Sequence, residues 1–390
     1  MAKSIRLTAL ALAALLCLGG CSESASLDER VFAVVMTLDA VEEGRLRLGV
    51  QINTGASAQS APESAPESAQ QSALQQGAYY LLSTTGQDYA QALTLLRVTL
   101  PRQLDFSHLQ ELVVSEDLAR SQAMPGLLRD VLRTDTVRPG AYLLVARKDA
   151  LDFAAHQRPF VGTRLSEYLA LRMDNARRQG GVGIATLKEA WTDMEANRAD
   201  TAATYAAVND FSATVPLTPD AALDDLPGHL PRTSVNQTEY LGAALFCQGV
   251  MVGAVTGAGM ALTHLLRGDV RQAPFVTQGA TFMLTQRRAP RHTIIKEVQG
   301  YMLRFELYLA AEPGGGLWAV STDTLQSALE QALTDQLLFY QSLGCDPVGF
   351  GYQAATLFPT LQAWQAFDWR TAFAGASVQV RVRLTPGEGE

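Results

Sequence analysis

Cysteine and histidine are the residues of this chain that could act as nucleophiles or metal ligands, so their spacing is the first test for chemistry. No histidine lies within five residues of another histidine or of a cysteine in the body of the chain, whereas metal sites usually pair two ligands a few residues apart. Gly-x-Ser-x-Gly, His-Glu-x-x-His and phosphate-loop motifs are absent from the sequence. We therefore predict no enzyme, no metal and no cofactor. We expect surface or hydrogen-bonded core positions for the five histidines (His108, His156, His229, His264 and His292).

Cys21 has a different chemistry, because it ends a segment with the layout of a secretory signal peptide. Lys3 and Arg6 give a positive start, and an apolar run extends from Leu7 to Leu18. The run is too short to cross a bilayer as a mature helix. The Leu-Gly-Gly-Cys sequence that ends at Cys21 resembles a lipobox, which predicts removal of residues 1–20 and a diacylglycerol thioether, often with an N-acyl chain, on the new terminus. Two or three acyl chains anchor a protein stably. A plain cleaved signal with a chance cysteine is the alternative.

Cys247 and Cys345 are the two cysteines in the body of the chain, since Cys17 would leave with the signal peptide. They lie nearly one hundred residues apart and have no metal-ligand spacing to a histidine. Outside the cytoplasm they could form one disulfide, or they could remain two buried free thiols. The second reading is favoured.

Strands and helices alternate in the first 150 residues. Apolar or alternating patterns predict strands at 31–38, 45–52, 79–85, 111–115 and 141–146. Helical spacing predicts a helix from Tyr89 to Pro101 and another that opens at Pro125. Helices are also expected over 163–178 and 185–198. This alternation predicts an α/β domain in which helices cover a sheet.

Two segments lack the pattern of a buried core. Residues 55–77 repeat Ala-Pro-Glu-Ser among Gln, Ser and Ala, which predicts a flexible insertion. Residues 214–232 hold four prolines and no periodic apolar pattern, which predicts a linker. The expected organisation is an N-terminal α/β domain over 21–213, this linker, and one or more C-terminal domains over 233–390.

The stretch 241–266 has no charged residue and is long enough to cross a membrane, but it carries five glycines. We interpret it as a strand at 242–247, a turn at Gln248-Gly249, a strand at 250–255 and a helix at 259–267. The glycines could also open a dinucleotide loop. However, Leu262 stands where a small residue is required, and no acidic residue follows about twenty positions on. Close backbone packing explains these glycines better.

The C-terminal part contains the clearest helix, with apolar residues at helical spacing from Leu325 to Tyr340. Ser321 or Thr322 is the expected N-cap, and Gly344 is the expected stop. Strands are predicted at 280–286, 300–310, 317–320 and 377–384. Four aromatic residues are assigned to core and interface rather than to a ligand cage (Trp364, Phe367, Trp369 and Phe373).

Composition excludes some partners. The chain has 390 residues, 47% of them hydrophobic and 18% charged, which is enough to bury a core. Its formal net charge is −8, and loss of Lys3 and Arg6 would make it −10. Such a surface repels nucleic acid. It also repels anionic lipid, so membrane attachment is expected to depend on the acyl chains.

The order of several motifs resembles the Ger(x)C lipoproteins, the C subunits of spore germinant receptors. An acidic-arginine segment leads into an apolar strand that ends at Asp39, and Ser83-Thr-Thr-Gly86 opens the first helix. Pro101-Arg102, Phe106-Ser-His-Leu109 and the strands at 111–116 and 141–146 follow in the order of that family. The most specific block is Asp346-Pro-Val-Gly-Phe-Gly351, followed by Phe358-Pro359, Trp364 and Trp369. The loop at 55–77, the Ser-Glu-Ser after Cys21 and the glycine-rich 241–267 depart from the family pattern.

This resemblance implies a mixed α+β fold of three small domains, each with its own sheet packed by helices. It implies a non-enzymatic protein on the outer face of the spore inner membrane, assembled with an integral-membrane A subunit and a transporter-like B subunit. It carries over one functional residue, the lipid anchor Cys21. The alternative is an extracytoplasmic solute-binding lipoprotein with a cleft between its two halves around 214–232.

Overall fold

The computed structural model describes residues 29–53, 79–159, 164–209, 226–230, 236–298, 300–313 and 320–386. Several predicted features therefore lie outside the described residues: the signal peptide, Cys21, the insertion at 55–77, most of the linker at 214–232 and most of the strand at 317–320.

The first sheet has nine strands. They are β1 (Arg30–Ala40), β2 (Leu46–Asn53), β3 (Tyr79–Gly86), β4 (Gln103–Asp105), β5 (Glu111–Ser115), β6 (Tyr142–Ala146), β7 (Thr201–Val208), β8 (Thr238–Cys247) and β9 (Val250–Val255). Their order is β3-β2-β1-β5-β6-β7-β8-β9, and β4 lies beside the start of β1. The central strands β1, β5, β6 and β7 are parallel, whereas the outer pairs are antiparallel.

Six helices accompany the first sheet in the described part of the chain. They are α1 (Tyr89–Thr99), α2 (Glu116–Ala119), α3 (Met124–Arg133), α4 (Ala150–His156), α5 (Leu165–Gln179) and α6 (Leu187–Ala196). One core joins the sheet to α1, α3 and α6, and another joins it to α4 and α5. The central parallel strands are therefore covered on both faces, as parallel sheets require.

The second sheet has five strands: β10 (Gln272–Thr277), β11 (Ala280–Gln286), β12 (Arg291–Glu297), β13 (Gly300–Pro313) and β14 (Ser377–Pro386). β13 pairs with β11 and β12 and also runs parallel to β14. The accompanying helices are α7 (Gly257–Arg267), α8 (Thr322–Leu343), α9 (Phe350–Ala355), α10 (Leu361–Gln365) and α11 (Trp369–Ala374).

The long helix α8 shows how the sequence sets this packing. Ser321 caps it by accepting a hydrogen bond from Thr324 N, and Gly344 ends it in the left-handed conformation. Its apolar stripe, from Leu325 to Tyr340, is buried in the second core. The predicted cap and stop are confirmed.

The second core is shared between the two sheets. It contains Ala202 of β7, Ala243 and Leu245 of β8, and Val255 of β9, together with side chains of the second sheet and α8. The two halves therefore bury apolar surface against each other.

The sequence predicted a mixed α+β fold, and the structure confirms it. Where three sheets were expected, the described residues form two. β7 and β8, which flank the predicted linker, are paired neighbours of one sheet, so the segment at 214–232 connects adjacent strands. The division into domains at this segment stays a prediction.

Candidate functional site

Cys21, the one site residue predicted from the sequence, lies outside the described residues, and its role as a lipid anchor stays a prediction. In the part of the chain that the structure describes, no helix is long and apolar enough to cross a membrane. The stretch 241–266 forms β8, β9 and most of α7 instead. No group of His, Cys, Asp and Glu within the described ranges could hold a metal ion.

The most concentrated polar chemistry lies where the two sheets meet, around the buried carboxylate of Asp346. Its Oδ1 accepts hydrogen bonds from Gly349 N at 2.9 Å and Phe350 N at 3.1 Å. Its Oδ2 accepts them from Gly351 N at 2.8 Å and from the indole of Trp369 at 3.3 Å. Both oxygens are thus satisfied inside the protein, which is the condition for burying a carboxylate.

Asp346 is joined to the first sheet through Asp200, the residue before β7. Asp346 N donates to Asp200 Oδ2 at 2.8 Å, and Asp200 N donates to the carbonyl of Asp346 at 2.9 Å. Arg370 of α11 then forms a two-pronged ion pair with Asp200, at 2.7 and 2.8 Å. Arg370 also donates to Asn197 Oδ1 at 3.1 Å and to Cys247 Sγ at 2.9 Å. We call Asp200, Cys247, Asp346 and Arg370 the sheet junction.

The spacing of the Asp346-Pro-Val-Gly-Phe-Gly351 motif has a physical reason. Gly349 has φ +86°, a conformation that favours glycine. A Cβ on Gly351 would lie 2.3 Å from the carbonyl oxygen of Arg198. The two glycines therefore let the loop wrap its amides around the carboxylate while it packs against the segment between α6 and β7.

The surroundings of Asp346 at the sheet junction favour the protonated form of its carboxyl more than water does. Burial, together with the charge of Asp200, raises the pKa of this carboxyl to about 6, although the amides of Gly349, Phe350 and Gly351 oppose the shift. Burial also raises the pKa of the Cys345 thiol well above its usual value, so this thiol is unreactive at neutral pH.

The raised pKa of Asp346 predicts a pH dependence. The protonated carboxyl contributes stability that is complete below pH 3.8, and this contribution is lost as the pH rises through about 6. We expect the free energy of unfolding of the wild type, relative to that of Asp346→Asn, to fall between pH 4.5 and pH 7.5, since Asn does not titrate. Urea unfolding at these two pH values measures the difference, and a constant difference would contradict the prediction.

The two cysteines are free in the structure, which agrees with the favoured reading. Cys345 is buried, and its Sγ lies 3.8 Å from the carbonyl of Phe246. Cys247 is partly exposed and contacts Arg370. Both belong to the packing of the sheet junction.

A second buried network lies on the other side of the first sheet, around Glu111 at the start of β5. Its two oxygens accept hydrogen bonds from Gln157 Nε2 and Tyr240 Oη, both at 2.7 Å. Arg172 of α5 lies over the Tyr240 ring at 3.4 Å and donates to Thr238. Burial raises the pKa of Glu111. The network fastens α4 and α5 to β5 and β8.

Two of the five histidines, the four aromatic residues and Gly259 have the environments that the sequence predicted. His264 is buried and bonds to Asp269 at 2.7 Å and the Val182 carbonyl at 3.0 Å, and His292 bonds to the Leu266 carbonyl at 2.7 Å. Trp364, Trp369 and Phe373 are buried in the second core, and Phe367 packs at its margin. A Cβ on Gly259 would lie 2.5 Å from Val255, which confirms close packing as the reason for that glycine.

A groove of about 250 Å³ runs along the sheet junction, between α6, the end of α7 and the loop at 346–352. The charged side chains that line it already form hydrogen bonds within the protein. Arg267 donates to the Pro347 carbonyl at 2.6 Å, and Asp193 accepts from Thr201 and Tyr352. Its lining residues come from 184–202, 267–269 and 347–352, away from the segment 214–232 where the solute-binding alternative placed its cleft.

The family motif in the sequence includes Asp346, but no sequence pattern indicates a role for Asp200 or Arg370. Those residues lie 146 and 24 positions from Asp346 and share no motif with it. Only the fold brings their charges together.

The fold and the junction define a mixed α+β protein whose buried charges fasten two sheets to each other. The family model described as "Spore germination protein N-terminal domain" matches residues 23–208, and the model "Spore germination B3/GerAC like, C-terminal" matches residues 241–385. The solved structure titled "Crystal Structure of the GerBC protein" has a similar fold, with a TM-score of 0.52 and 13% sequence identity. The likeness covers 90% of this chain and 96% of that one. A comparison with curated proteins found no match.

The chain belongs to the GerAC family of spore germination proteins, the C subunits of germinant receptors. The resemblance that the sequence suggested is therefore confirmed.

Proposed function

We propose that this chain is the lipid-anchored C subunit of a nutrient germinant receptor. In this proposal the acylated Cys21 holds it on the outer face of the spore inner membrane. There it acts through contacts with the integral-membrane A and B subunits and has no catalytic activity of its own. The match of two successive family models, over residues 23–208 and 241–385, carries the proposal.

The lipid anchor is supported by the N-terminal sequence. Lys3, Arg6, the apolar run to Leu18 and the two glycines before Cys21 follow the order that signal cleavage and acylation require. Acyl chains hold a protein to a bilayer without a membrane-spanning helix. A receptor subunit that must meet two membrane-embedded partners gains a high local concentration from such a tether.

The anchor is tested by the variant Cys21→Ala in a strain whose germination depends on this receptor. We expect the variant to lose acylation, to leave the membrane fraction and to reduce nutrient germination strongly. Cys17→Ala is the matched control, because it changes the other cysteine of the same segment and should leave acylation intact. Mass spectrometry of the N-terminal peptide, membrane fractionation and spore germination measure the three effects.

A Cys21→Ala protein that stayed in the membrane fraction with normal germination would contradict the anchor. Assembly is tested separately by purification of the tagged chain from detergent-solubilised spore membranes. We expect the A and B subunits to be recovered with the wild type and with Cys17→Ala. Failure to recover either subunit with the wild type would contradict the receptor proposal.

A further inference from the structure

An exposed apolar surface lies in the C-terminal part of the chain. Leu357, on the turn between α9 and α10, and Leu361, the first residue of α10, are 56% and 58% exposed. Phe358 between them is half-buried, and its ring lies 4.8 Å from the ring of Phe367. Leucines exposed singly are common, but neighbouring ones with an aromatic between them indicate a surface with a function.

The same surface extends to the tip of the β12–β13 hairpin. The ring of Phe367 lies 5.9 Å from that of Tyr301, near the start of β13. Val298, three residues before Tyr301, is fully exposed at the hairpin tip. We call these residues the Leu357 patch; its members are Val298, Tyr301, Leu357, Phe358, Leu361 and Phe367.

The charges around the Leu357 patch differ from those of the whole molecule. The chain has a formal net charge of −8, yet residues 347–367 contain no charged side chain. Residues 347–386 contain one acid, Asp368, against three arginines, of which Arg370 is already paired with Asp200. Two exposed acids adjoin the patch in the chain, Glu297 before Val298 and Asp368 after Phe367. The uncharged run between 347 and 367 is repelled less by an anionic bilayer than the acidic remainder of the surface.

The uncharged run that contains most of the patch begins beside the end of the first sheet at which β1 and β7 start. The strands β1, β5, β6 and β7 are parallel, so Arg30 and Asp200 lie at the same sheet edge. Asp200 binds Asp346, and the uncharged run begins at the next residue. The eight residues between Cys21 and Arg30 can span at most about 30 Å. An anchor on Cys21 would thus hold this edge of the molecule close to the bilayer.

We propose that the Leu357 patch is a second membrane contact, which inserts its leucines and aromatic rings into the lipid interface. The proposal rests on the lipid anchor of the proposed function. The acyl chains supply the attachment, and the patch fixes the orientation of the two sheets on the bilayer. The protein thereby presents one defined face to its membrane-embedded partners.

The test uses the full-length acylated protein in vesicles of phosphatidylcholine and phosphatidylglycerol. An environment-sensitive NBD dye is attached at Leu357→Cys, with Leu171→Cys as the control, because Leu171 on α5 is 53% exposed but lies outside the patch. Labelling of Cys247 is corrected with the unsubstituted protein. We expect the dye at position 357 to brighten several-fold and to be quenched by nitroxide-labelled lipid, whereas the dye at 171 stays water-exposed. Adding Leu361→Ser should reduce the signal at 357.

The outcomes separate this proposal from the proposed function. A protein that floats with the vesicles while its dye at 357 stays water-exposed would overturn the patch and leave the anchor standing. A protein that does not float would overturn both. Shielding of the dye only after co-reconstitution with the A and B subunits would assign the patch to a protein partner and overturn the lipid contact.

Discussion

Replacement of Arg370 by Met should destabilise the protein by about 3–5 kcal/mol, because it leaves the carboxylate of Asp200 buried without its cation. The side chains of Asp200 and Arg370 are 4% and 19% exposed, so water cannot take the place of the guanidinium. Asp200 would keep one hydrogen bond, from Asp346 N. The loss should be measured as the free energy of unfolding in urea.

Two further variants test the physical cause. In Asp200→Asn with Arg370→Met, the amide oxygen still accepts from Asp346 N and no unpaired charge is buried at position 200, so more than half of the lost stability should return. Arg120→Met is the control, since Arg120 pairs with Glu116 on the surface and is 43% exposed. That change should cost less than about 1 kcal/mol. Equal losses for Arg370→Met and Arg120→Met would contradict a structural role for the sheet junction.

The sheet junction also explains why the two halves are not independent in the structure. Its residues come from the start of β7, the end of β8, the end of α8 and α11, and the apolar core continues on both sides of it. Loss of Arg370 should therefore loosen contacts in both halves together. Hydrogen exchange measures this coupling. In Arg370→Met, the amides of Gly349 and Gly351 and the amides of β8 should all exchange faster than in the wild type.

Sequence patterns predicted the elements with a strong apolar pattern, including β1, β5 and β6, which are buried on both faces. The helix α8 follows its apolar stripe and its caps, and β2 follows its alternation of Leu and Arg. The strand β7 was missed, because four of its eight residues are alanine, which is small and weak in strand propensity. β10 was missed as well, since Pro274 lies inside it.

The junction could not be derived from spacing, because its partners are distant in the chain. A motif can indicate that Asp346 has glycines three and five residues later, but it cannot indicate that Asp200 and Arg370 meet it. The same limit applies to the sheets. β8 was assigned to the C-terminal part by its place after 214–232, whereas its hydrogen bonds to β7 place it in the first sheet.

Gly351→Ala should also cause a large loss of stability, of about 3 kcal/mol. The new Cβ would lie 2.3 Å from the carbonyl oxygen of Arg198 and 2.9 Å from the indole nitrogen of Trp369. Neither group can move freely, because one is backbone beside β7 and the other donates to Asp346. The loop must therefore shift, which lengthens the hydrogen bond from Gly351 N to the Asp346 carboxylate and adds the cost of overpacking.

Gly126→Ala is the control that separates this steric effect from the general effect of replacing a glycine. Gly126 lies within α3, and no atom apart from its chain neighbours and the backbone of its own helix would be within 4 Å of its Cβ. Alanine there should stabilise the helix by about 0.5–1 kcal/mol, opposite in sign to the effect at Gly351. Thermal and urea unfolding of the two variants measure both signs. If Gly351→Ala were as stable as the wild type, the close approach of the loop to Arg198 would be wrong, and with it the explanation given for the motif that surrounds Asp346.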